Sequence, residues 1–479
     1  MLVSTSGWSK VKHSIQEKIL FGNEPTPELF AILTVYFVQG ILGLSRLAVS
    51  FFLKDELGLS PAEVSALFGI VVLPWVIKPV FGFFSDGFPI FGYRRRPYLI
   101  LSGILGALAW VGMATVVHSS WAAVTAILLS SLSVAVSDVI VDSLVVERAR
   151  AESQAEAGSL QSICWGASAF GGLITAYFSG FLLEHFTTRT VFWITATFPL
   201  IVSGVAWLIS ESPVEKTDEN EDAKNNNFED VKQQVKLLRQ AITQKAIWLP
   251  TAFLFIWQAT PGSESAFFYF TTNELHFQPE FLGRVRLVTS IAALVGIWIF
   301  QRFLKSVPFR VIFTWSTVFS AILGLTTLLL VTHANRALGI DDHWFSLGDS
   351  LILTVMGQIA YMPVLVLAAR ICPPGVEATL FALLMSITNL AGLVSHETGA
   401  VLMHYLGVTE TNFDKLWLLV TITNLSTLLP LPFINWLPAA GEETSEPAKT
   451  ALQESEKPEI VPNLMSELVI KQPAEEVID

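Results

Sequence analysis

Long apolar runs alternate with short polar segments along most of the chain, which has 479 residues. Each run is long enough to cross roughly 30 Å of hydrocarbon as an α-helix. The pattern predicts an all-α membrane protein with twelve transmembrane helices. We number these spans in chain order, and they cover residues 29–53, 64–84, 97–117, 121–146, 157–183, 191–209, 247–271, 281–303, 311–331, 351–369, 380–402 and 416–437.

The polar segments divide the chain into five parts. Two six-helix halves, 29–210 and 246–437, are joined by a linker at 211–245. A short tail, 1–28, precedes the first half, and an acidic tail that we expect to be disordered, 438–479, follows the second. Lys and Arg are concentrated in the tails, the linker and alternate connections, and positively charged segments stay on the cytoplasmic side. We therefore expect both termini and the linker to be cytoplasmic.

The two halves resemble each other at a nearly constant separation along the sequence, as an internal duplication would. The matching positions are Gln39 and Gln258, Asp138 and Gln358, and the span ends Asp55-Glu56-Leu57 with Pro61 and Asn273-Glu274-Leu275 with Pro279. Transporters built from two related halves bind their substrates at the interface between the halves. We expect the substrate site of this chain to lie there.

Composition excludes several classes of protein. Hydrophobic residues make up 52% of the chain and charged residues 15%, far from the average of soluble globular proteins. The net charge of −12 reflects the acidic tail, and nothing in the chain supports nucleic-acid binding. Cys164 and Cys372 fall in different halves and predict free thiols with no metal site. No nucleotide loop, metal-ligand cluster or nucleophile–base pattern indicates an enzyme or a cofactor.

Charged residues interrupt two otherwise apolar spans: Lys78 lies in the second, and Asp138 and Asp142 lie in the fourth. A charge at mid-membrane costs about 2.5 to 3.5 kcal/mol on insertion scales, and such residues usually face a bundle interior or a water-filled pathway. Asp138 and Asp142 are one helical turn apart and share a face. Either Lys78 neutralises Asp138 in a structural ion pair, or the two acids together bind a coupling proton. The two roles are compatible if the pair breaks during transport.

The second span ends in Gly82-Phe-Phe-Ser-Asp86, which leads to a basic cluster that includes Arg94 and Arg95. This segment resembles the loop signature of the major facilitator superfamily between the second and third helices. Asp86 beside these arginines would form a cytoplasmic latch that breaks as the halves rock, or the charges simply keep the loop cytoplasmic. The predicted latch also includes residues at the cytoplasmic ends of other spans, namely Arg148, Arg150, Arg370 and Glu377.

Three further strings are more specific than this loop. They are Trp75-Val-Ile-Lys78-Pro79, Ser137-Asp138-Val-Ile-Val-Asp142-Ser-Leu-Val-Val-Glu147-Arg148-Ala-Arg150 and Ala369-Arg370-Ile-Cys372-Pro373-Pro374-Gly-Val-Glu377-Ala-Thr379. Together they resemble the folate–biopterin transporter family, a branch of the major facilitator superfamily found in cyanobacteria, plastids and trypanosomatids. The resemblance extends from about Gly22 to Leu437.

The resemblance implies twelve helices around a central cavity that is lined chiefly by the first, fourth, seventh and tenth spans. It implies a secondary active transporter of folate and related pterins, coupled to protons and working by alternating access. The expected partners are a folate or pterin substrate, a proton and the lipid bilayer. We expect a multi-pass monomer in the plasma (inner) membrane rather than in a plastid envelope.

Five further polar residues are candidates for substrate binding or proton coupling. Arg46, in the outer part of the first span, could hold an anionic group of the substrate or extend to the outer surface. Gln39, Gln258 and Gln358 could bind the donor and acceptor edge of a pteridine, or they could join helices. Glu264 follows Pro261-Gly262, where a break in the seventh helix would expose backbone to the cavity.

Two other functions remain open at this point. The chain could be a permease for another organic anion. It could also be a light-harvesting or pigment assembly factor, because such members of the superfamily share a segment like Gly92-Tyr93-Arg94-Arg95. The motifs give no role to His396 and Glu397.

Overall fold

The computed structural model describes residues 24–150, 154–213, 243–304, 307–370 and 377–438. The α-helices are Pro27–Ile41, Leu44–Phe51, Pro61–Val71, Leu73–Val76, Lys78–Gly87, Arg96–Thr115, Ser120–Arg150, Gln154–His185, Thr188–Val205, Lys245–Gln258, Glu264–Tyr269, Pro279–Ile299, Phe309–Gly324, Thr327–Val331, Ala334–Ala337, Asp342–Arg370, Glu377–Leu406 and Leu416–Ser426. Short π or 3-10 turns are Phe52–Glu56, Ala206–Leu208, Phe270–Glu274, Phe300–Leu304 and Leu431–Trp436. The regular structure of these ranges is therefore helical.

Ten helical runs in the described ranges are long and apolar enough to cross a membrane. They correspond to the first six predicted spans and to the eighth, ninth, tenth and twelfth. The predicted seventh span is divided into Lys245–Gln258 and Glu264–Tyr269, and the eleventh is helix Glu377–Leu406. The total of twelve, the five-part division of the chain and the cytoplasmic termini stay predictions.

The break in the seventh span lies where Pro261-Gly262 predicts it. The chain is not helical between Gln258 and Glu264, and backbone groups at such a break need partners from elsewhere. Ser395 of the eleventh span provides them: its hydroxyl donates to the carbonyl of Thr260 at 2.6 Å. Its carbonyl accepts from the N–H of Gly262 at 3.3 Å. The broken helix is therefore supported by its neighbour.

The tenth span begins earlier than its apolar run, at Asp342 instead of residue 351. The prediction of this start was wrong because hydropathy excludes the acids of the first helical turns, although both acids have partners. Asn335 Nδ2 donates to Asp342 at 2.7 Å. Asp349 accepts hydrogen bonds from the hydroxyls of Thr326, at 2.5 Å, and Thr327, at 2.8 Å. Hydrogen-bonded carboxylates of this kind are tolerated inside a helical bundle.

The repeat seen in the sequence is also present in the backbone. The first and seventh spans both end in a π turn, Phe52–Glu56 and Phe270–Glu274. Each turn is closed by an N–H of the following leucine, which donates to the carbonyl of its first phenylalanine at 3.1 Å. The helices that follow begin at Pro61 and Pro279, where the missing N–H of proline costs no helical hydrogen bond. The two halves therefore share local geometry as well as sequence.

The halves touch each other at the end of the bundle that we predict to be the outer side. A Cβ atom placed on Gly180 of the fifth span would lie 2.7 Å from the Cα of Gly283 in the eighth span. These two helices cross with their backbones in contact, as small residues allow in membranes. Closer to the outer surface, Lys54 Nζ donates to Asn273 Oδ1 at 2.8 Å. The two halves are therefore in direct contact on this side.

Gly180→Ala is expected to lower the melting temperature, because the added methyl group would overlap the backbone of Pro279 and Gly283. Overpacking of this kind costs about 1 to 3 kcal/mol. Gly204→Ala is a matched control, since a Cβ atom there has no neighbour within 4 Å. Thermal unfolding of the two purified variants measures the difference, and equal melting temperatures would contradict the close crossing.

Candidate functional site

The charged residues within the second and fourth spans lie together. Lys78 Nζ forms an ion pair with Asp138 and lies 3.1 Å from Asp142 Oδ2. The exposed fractions of the side chains are 22% for Lys78, 11% for Asp138 and 44% for Asp142. The ion pair expected from the sequence is therefore present, and Asp142 is its more accessible acid.

The local backbone brings these side chains together. Ile77 departs from helical geometry, with φ −94° and ψ 11°, and helix Lys78–Gly87 starts immediately after it with a proline in its first turn. This interruption of the second span lies at Lys78, as is common near proline. Asp138 and Asp142 lie on the continuous helix Ser120–Arg150, one turn apart. Both carboxylates can therefore reach one ammonium group.

Two side chains of the first span complete the group. The hydroxyl of Tyr36 donates to Asp142 Oδ1 at 2.5 Å. Gln39 lies beside Asp138, yet its buried amide nitrogen makes no hydrogen bond of ordinary geometry within the described residues. The sequence analysis missed Tyr36, although it lies one turn from Gln39 on the same helical face. We call Tyr36, Gln39, Lys78, Asp138 and Asp142 the Lys78 cluster.

The charges of the Lys78 cluster do not balance. When all groups are ionised, one lysine faces two carboxylates, so the cluster carries a surplus negative charge. Ionisable residues within a membrane are usually functional because an uncompensated charge is costly there. A bound proton would neutralise the surplus, and hydrogen-bond donors of a substrate would stabilise it. The arrangement can therefore exchange a proton or bind a polar ligand.

Arg46 lies outward of the cluster, two helical turns beyond Gln39, and its side chain is exposed. Arg286 of the eighth span lies close enough for the two positive charges to repel each other. The sequence analysis missed Arg286. The sequence could have indicated this residue, because Arg286 interrupts an apolar run in the same way as Lys78 does.

The remaining candidates of the second half lie apart from the Lys78 cluster. Gln258 is the last residue before the break in the seventh span, and Glu264 is the first residue after it. The side chain of Glu264 is exposed. Gln358 packs against the eighth span, where its Cβ would lie 2.8 Å from a Cβ placed on Gly296. The structure therefore places these three residues in the second half without joining them to the cluster.

The loop after the second span binds a carboxylate that the sequence analysis missed. The backbone N–H groups of Arg94, Arg95 and Arg96 donate to the side chain of Glu211 at 2.5 to 3.2 Å. They form the start of helix Arg96–Thr115, and the N-terminus of a helix is a favourable site for an anion. The guanidinium of Arg95 is buried and donates to Ser85 Oγ at 3.0 Å. These contacts fix the loop to the end of the sixth span.

Arg148 lies on the same side and donates to Thr26 Oγ1 at 2.8 Å. This contact and those of Arg94 and Arg95 join segments within the first half. A latch between the halves stays a prediction. Four of its members have side chains outside the described part of the structure: Asp86, Arg150, Arg370 and Glu377.

His396 and Glu397 lie where the eleventh span meets the second. The hydroxyl of Ser65 donates to the carbonyl of His396 at 2.9 Å. A Cβ atom placed on Gly69 would lie 2.6 Å from Glu397 Oε1. The pair therefore belongs to the contact between the halves.

A sequence profile of the BT1 family matches residues 39–455. The chain belongs to the BT1 family. The BT1 family match and the relatives below confirm the resemblance to folate–biopterin transporters drawn from the sequence strings.

Named relatives match this BT1-family chain over most of its length. The folate-biopterin transporter of Synechocystis sp. is 64% identical over 436 residues, which are 91% of the chain and 87% of the relative. The probable folate-biopterin transporter 2 of Arabidopsis thaliana is 33% identical and covers 87% of the chain and 84% of the relative. Folate transporter 2 of Plasmodium falciparum is 30% identical, with 88% and 90% covered.

Solved structures show the fold of this BT1-family chain. The D-xylose-proton symporter superposes with a TM-score of 0.63 at 16% identity, covering 86% of the chain and 98% of the symporter. A POT family transporter in complex with 5-aminolevulinic acid gives a TM-score of 0.64 at 14% identity, covering 88% and 99%. The fold is that of the major facilitator superfamily. Family and fold together confirm a multi-pass membrane transporter and not an enzyme.

Lys78→Met is expected to destabilise the protein by an amount on the order of 3 kcal/mol, because it leaves two carboxylates without their cation. Adding Asp138→Asn to Lys78→Met should restore part of the loss, since the two sites are coupled by direct contact. Lys415→Met is a control at an exposed lysine. The melting temperatures of the purified variants test the coupling. A double variant no more stable than Lys78→Met would argue against it.

Proposed function

We propose that the protein is a secondary active transporter of folate and related pterins that is coupled to protons and works by alternating access. The names of its relatives support the substrate, above all a folate-biopterin transporter at 64% identity. We further propose that it acts as a monomer in the plasma (inner) membrane.

The Lys78 cluster is the observation that carries the proposal of proton coupling. Its surplus negative charge attracts a proton within the membrane, and Asp142 is accessible enough to bind it. Neutralising one acid would weaken its attraction to Lys78 and release that side chain. Because the cluster joins the first, second and fourth spans, a change in its charge would alter how these helices hold together.

The contacts between the halves support alternating access. On the predicted outer side they include the close crossing of Gly180 and Gly283 and the bond between Lys54 and Asn273. Tyr269 of the second half also packs into the apolar core of the first half, so separation of the halves on this side has to break apolar as well as polar contacts. On the predicted inner side, we propose that the basic latch residues hold the halves together in the opposite state: Asp86, Arg94, Arg95, Arg148, Arg150, Arg370 and Glu377.

Recognition of the pterin ring is assigned to amide and carboxylate groups. A pterin presents hydrogen-bond donors and acceptors along one edge, which an amide and a carboxylate side by side can match. Gln39 and Asp138 form such a pair, and the amide nitrogen of Gln39 has no partner within the described residues. Gln258, Glu264 and Gln358 are the corresponding candidates in the second half.

Radiolabelled folate uptake into proteoliposomes tests the proposal. We expect uptake to rise several-fold with an inward proton gradient, and we expect unlabelled biopterin and methotrexate, but not an amino acid, to compete. Liposomes without protein are the control. Equal uptake with and without the gradient would contradict proton coupling but not the proposed substrate. Absence of uptake by folded protein would favour the alternative, a permease for another organic anion.

Asp138→Asn is expected to abolish stimulation of uptake by the gradient while preserving exchange of external for internal folate. The amide leaves one carboxylate facing Lys78 and so removes the surplus negative charge that attracts a proton, whereas exchange requires no net proton movement. Asp414→Asn, at an exposed acid before the last span, is the matched control. Uptake by Asp138→Asn with an unchanged pH dependence would exclude Asp138 from the coupling role.

A further inference from the structure

Two arginines inside the bundle, one from each half, have no acidic partner among the residues that the structure describes. They are Arg46, on helix Leu44–Phe51, and Arg286, on helix Pro279–Ile299. Neither guanidinium forms an ion pair or a hydrogen bond with another of the described residues. Three other arginines in the described ranges do have acidic partners: Arg189 with Glu56, Arg284 with Glu280 and Arg336 with Asp342.

Arg46 faces the space between the halves. It lies on the same side of the first span as Gln39, about two turns earlier, and Tyr36, about three turns earlier. Tyr36 bonds to Asp142, and Gln39 lies beside Asp138. Since both contacts are with the fourth span, this face of the first span points into the bundle and away from lipid.

Arg286 approaches the same space from the second half. It lies one turn after Gly283, which meets Gly180 of the fifth span in close contact. The first span packs against the same fifth span at Gly43, one turn before Arg46. The fifth span therefore brings the two arginines to the same region. In this placement the two positive charges are close enough to interact electrostatically.

We propose that Arg46 and Arg286 together bind the carboxylates of a glutamate group between the two halves. A guanidinium group matches a carboxylate through two parallel hydrogen bonds, and glutamate attached through its nitrogen offers two carboxylates. The anion removes the repulsion between the arginines and joins the halves through one ligand. The inference rests on the proposed function, because folate carries such a glutamate group and biopterin does not.

The positions of the arginines also define how folate lies in the protein. Arg46 is about 10 Å from Gln39 along the helix axis, at 1.5 Å per residue. In folate, an aminobenzoyl group separates the pterin ring from the glutamate. The ring therefore lies at the Lys78 cluster and the glutamate towards the predicted outer side.

Equilibrium binding to the purified protein in nanodiscs tests this site with folate, biopterin and p-aminobenzoylglutamate. We expect Arg286→Gln and Arg46→Gln each to raise the Kd of folate by about tenfold or more, and that of biopterin by less than about threefold. Arg286→Lys keeps the charge but loses the forked geometry, and should give an intermediate loss for folate. Arg284→Gln is the matched control, because Arg284 lies on the same helix and pairs with Glu280.

The outcomes separate this inference from the proposed function. An equal increase in the Kd of folate and of biopterin in the arginine variants, or no increase for folate, would overturn the arginine site. Pterin transport would not be contradicted. A different outcome is that the wild-type protein binds p-aminobenzoylglutamate but no pterin, and that both arginine variants lose this binding. This result would support the site and overturn the proposed substrate. Folded wild-type protein that binds none of the three ligands would overturn both.

Discussion

The ion pair between Lys78 and Asp138 satisfies a constraint that shapes the first half of the protein: a charge within the membrane must have a partner. Lys78 lies at an interruption of the second span, and Asp138 lies on the fourth. Tyr36 brings the first span to the same point through Asp142. Three helices from separate parts of the sequence are therefore held at one electrostatic centre, while apolar contacts alone would allow them to slide.

The duplication of the chain has not duplicated this centre. The π turns and the prolines after them recur in both halves, but the position that matches Asp138 is Gln358, which packs against Gly296. The second half instead has a half-buried acid at Asp349, and two threonine hydroxyls bind it. The surplus negative charge is therefore a property of the first half, and among the described residues the second half contributes a cation, Arg286.

Apolar run length was enough to locate most helices, because crossing hydrocarbon requires length and composition more than any particular side chain. The same reasoning identified Lys78, Asp138 and Asp142, since a charge in an apolar run is visible in the sequence. The contact of Arg94 to Arg96 with Glu211 could not be predicted from the sequence. Backbone N–H groups bind this carboxylate, and they leave no pattern of side chains. The nearness of Arg46 to Arg286 depends on how helices from different halves cross, which periodicity within one helix does not encode.

Three successive residues of the eleventh span have contacts on two sides of the molecule. Ser395 supports the break in the seventh span through Thr260, and the carbonyl of the next residue, His396, accepts from Ser65 of the second span. Glu397 also lies against the second span. One turn of the eleventh span therefore supports the break in the seventh span and contacts the second span of the other half. Under the alternating access proposed above, separation of the second and eleventh spans would act directly on the turn that holds the broken helix.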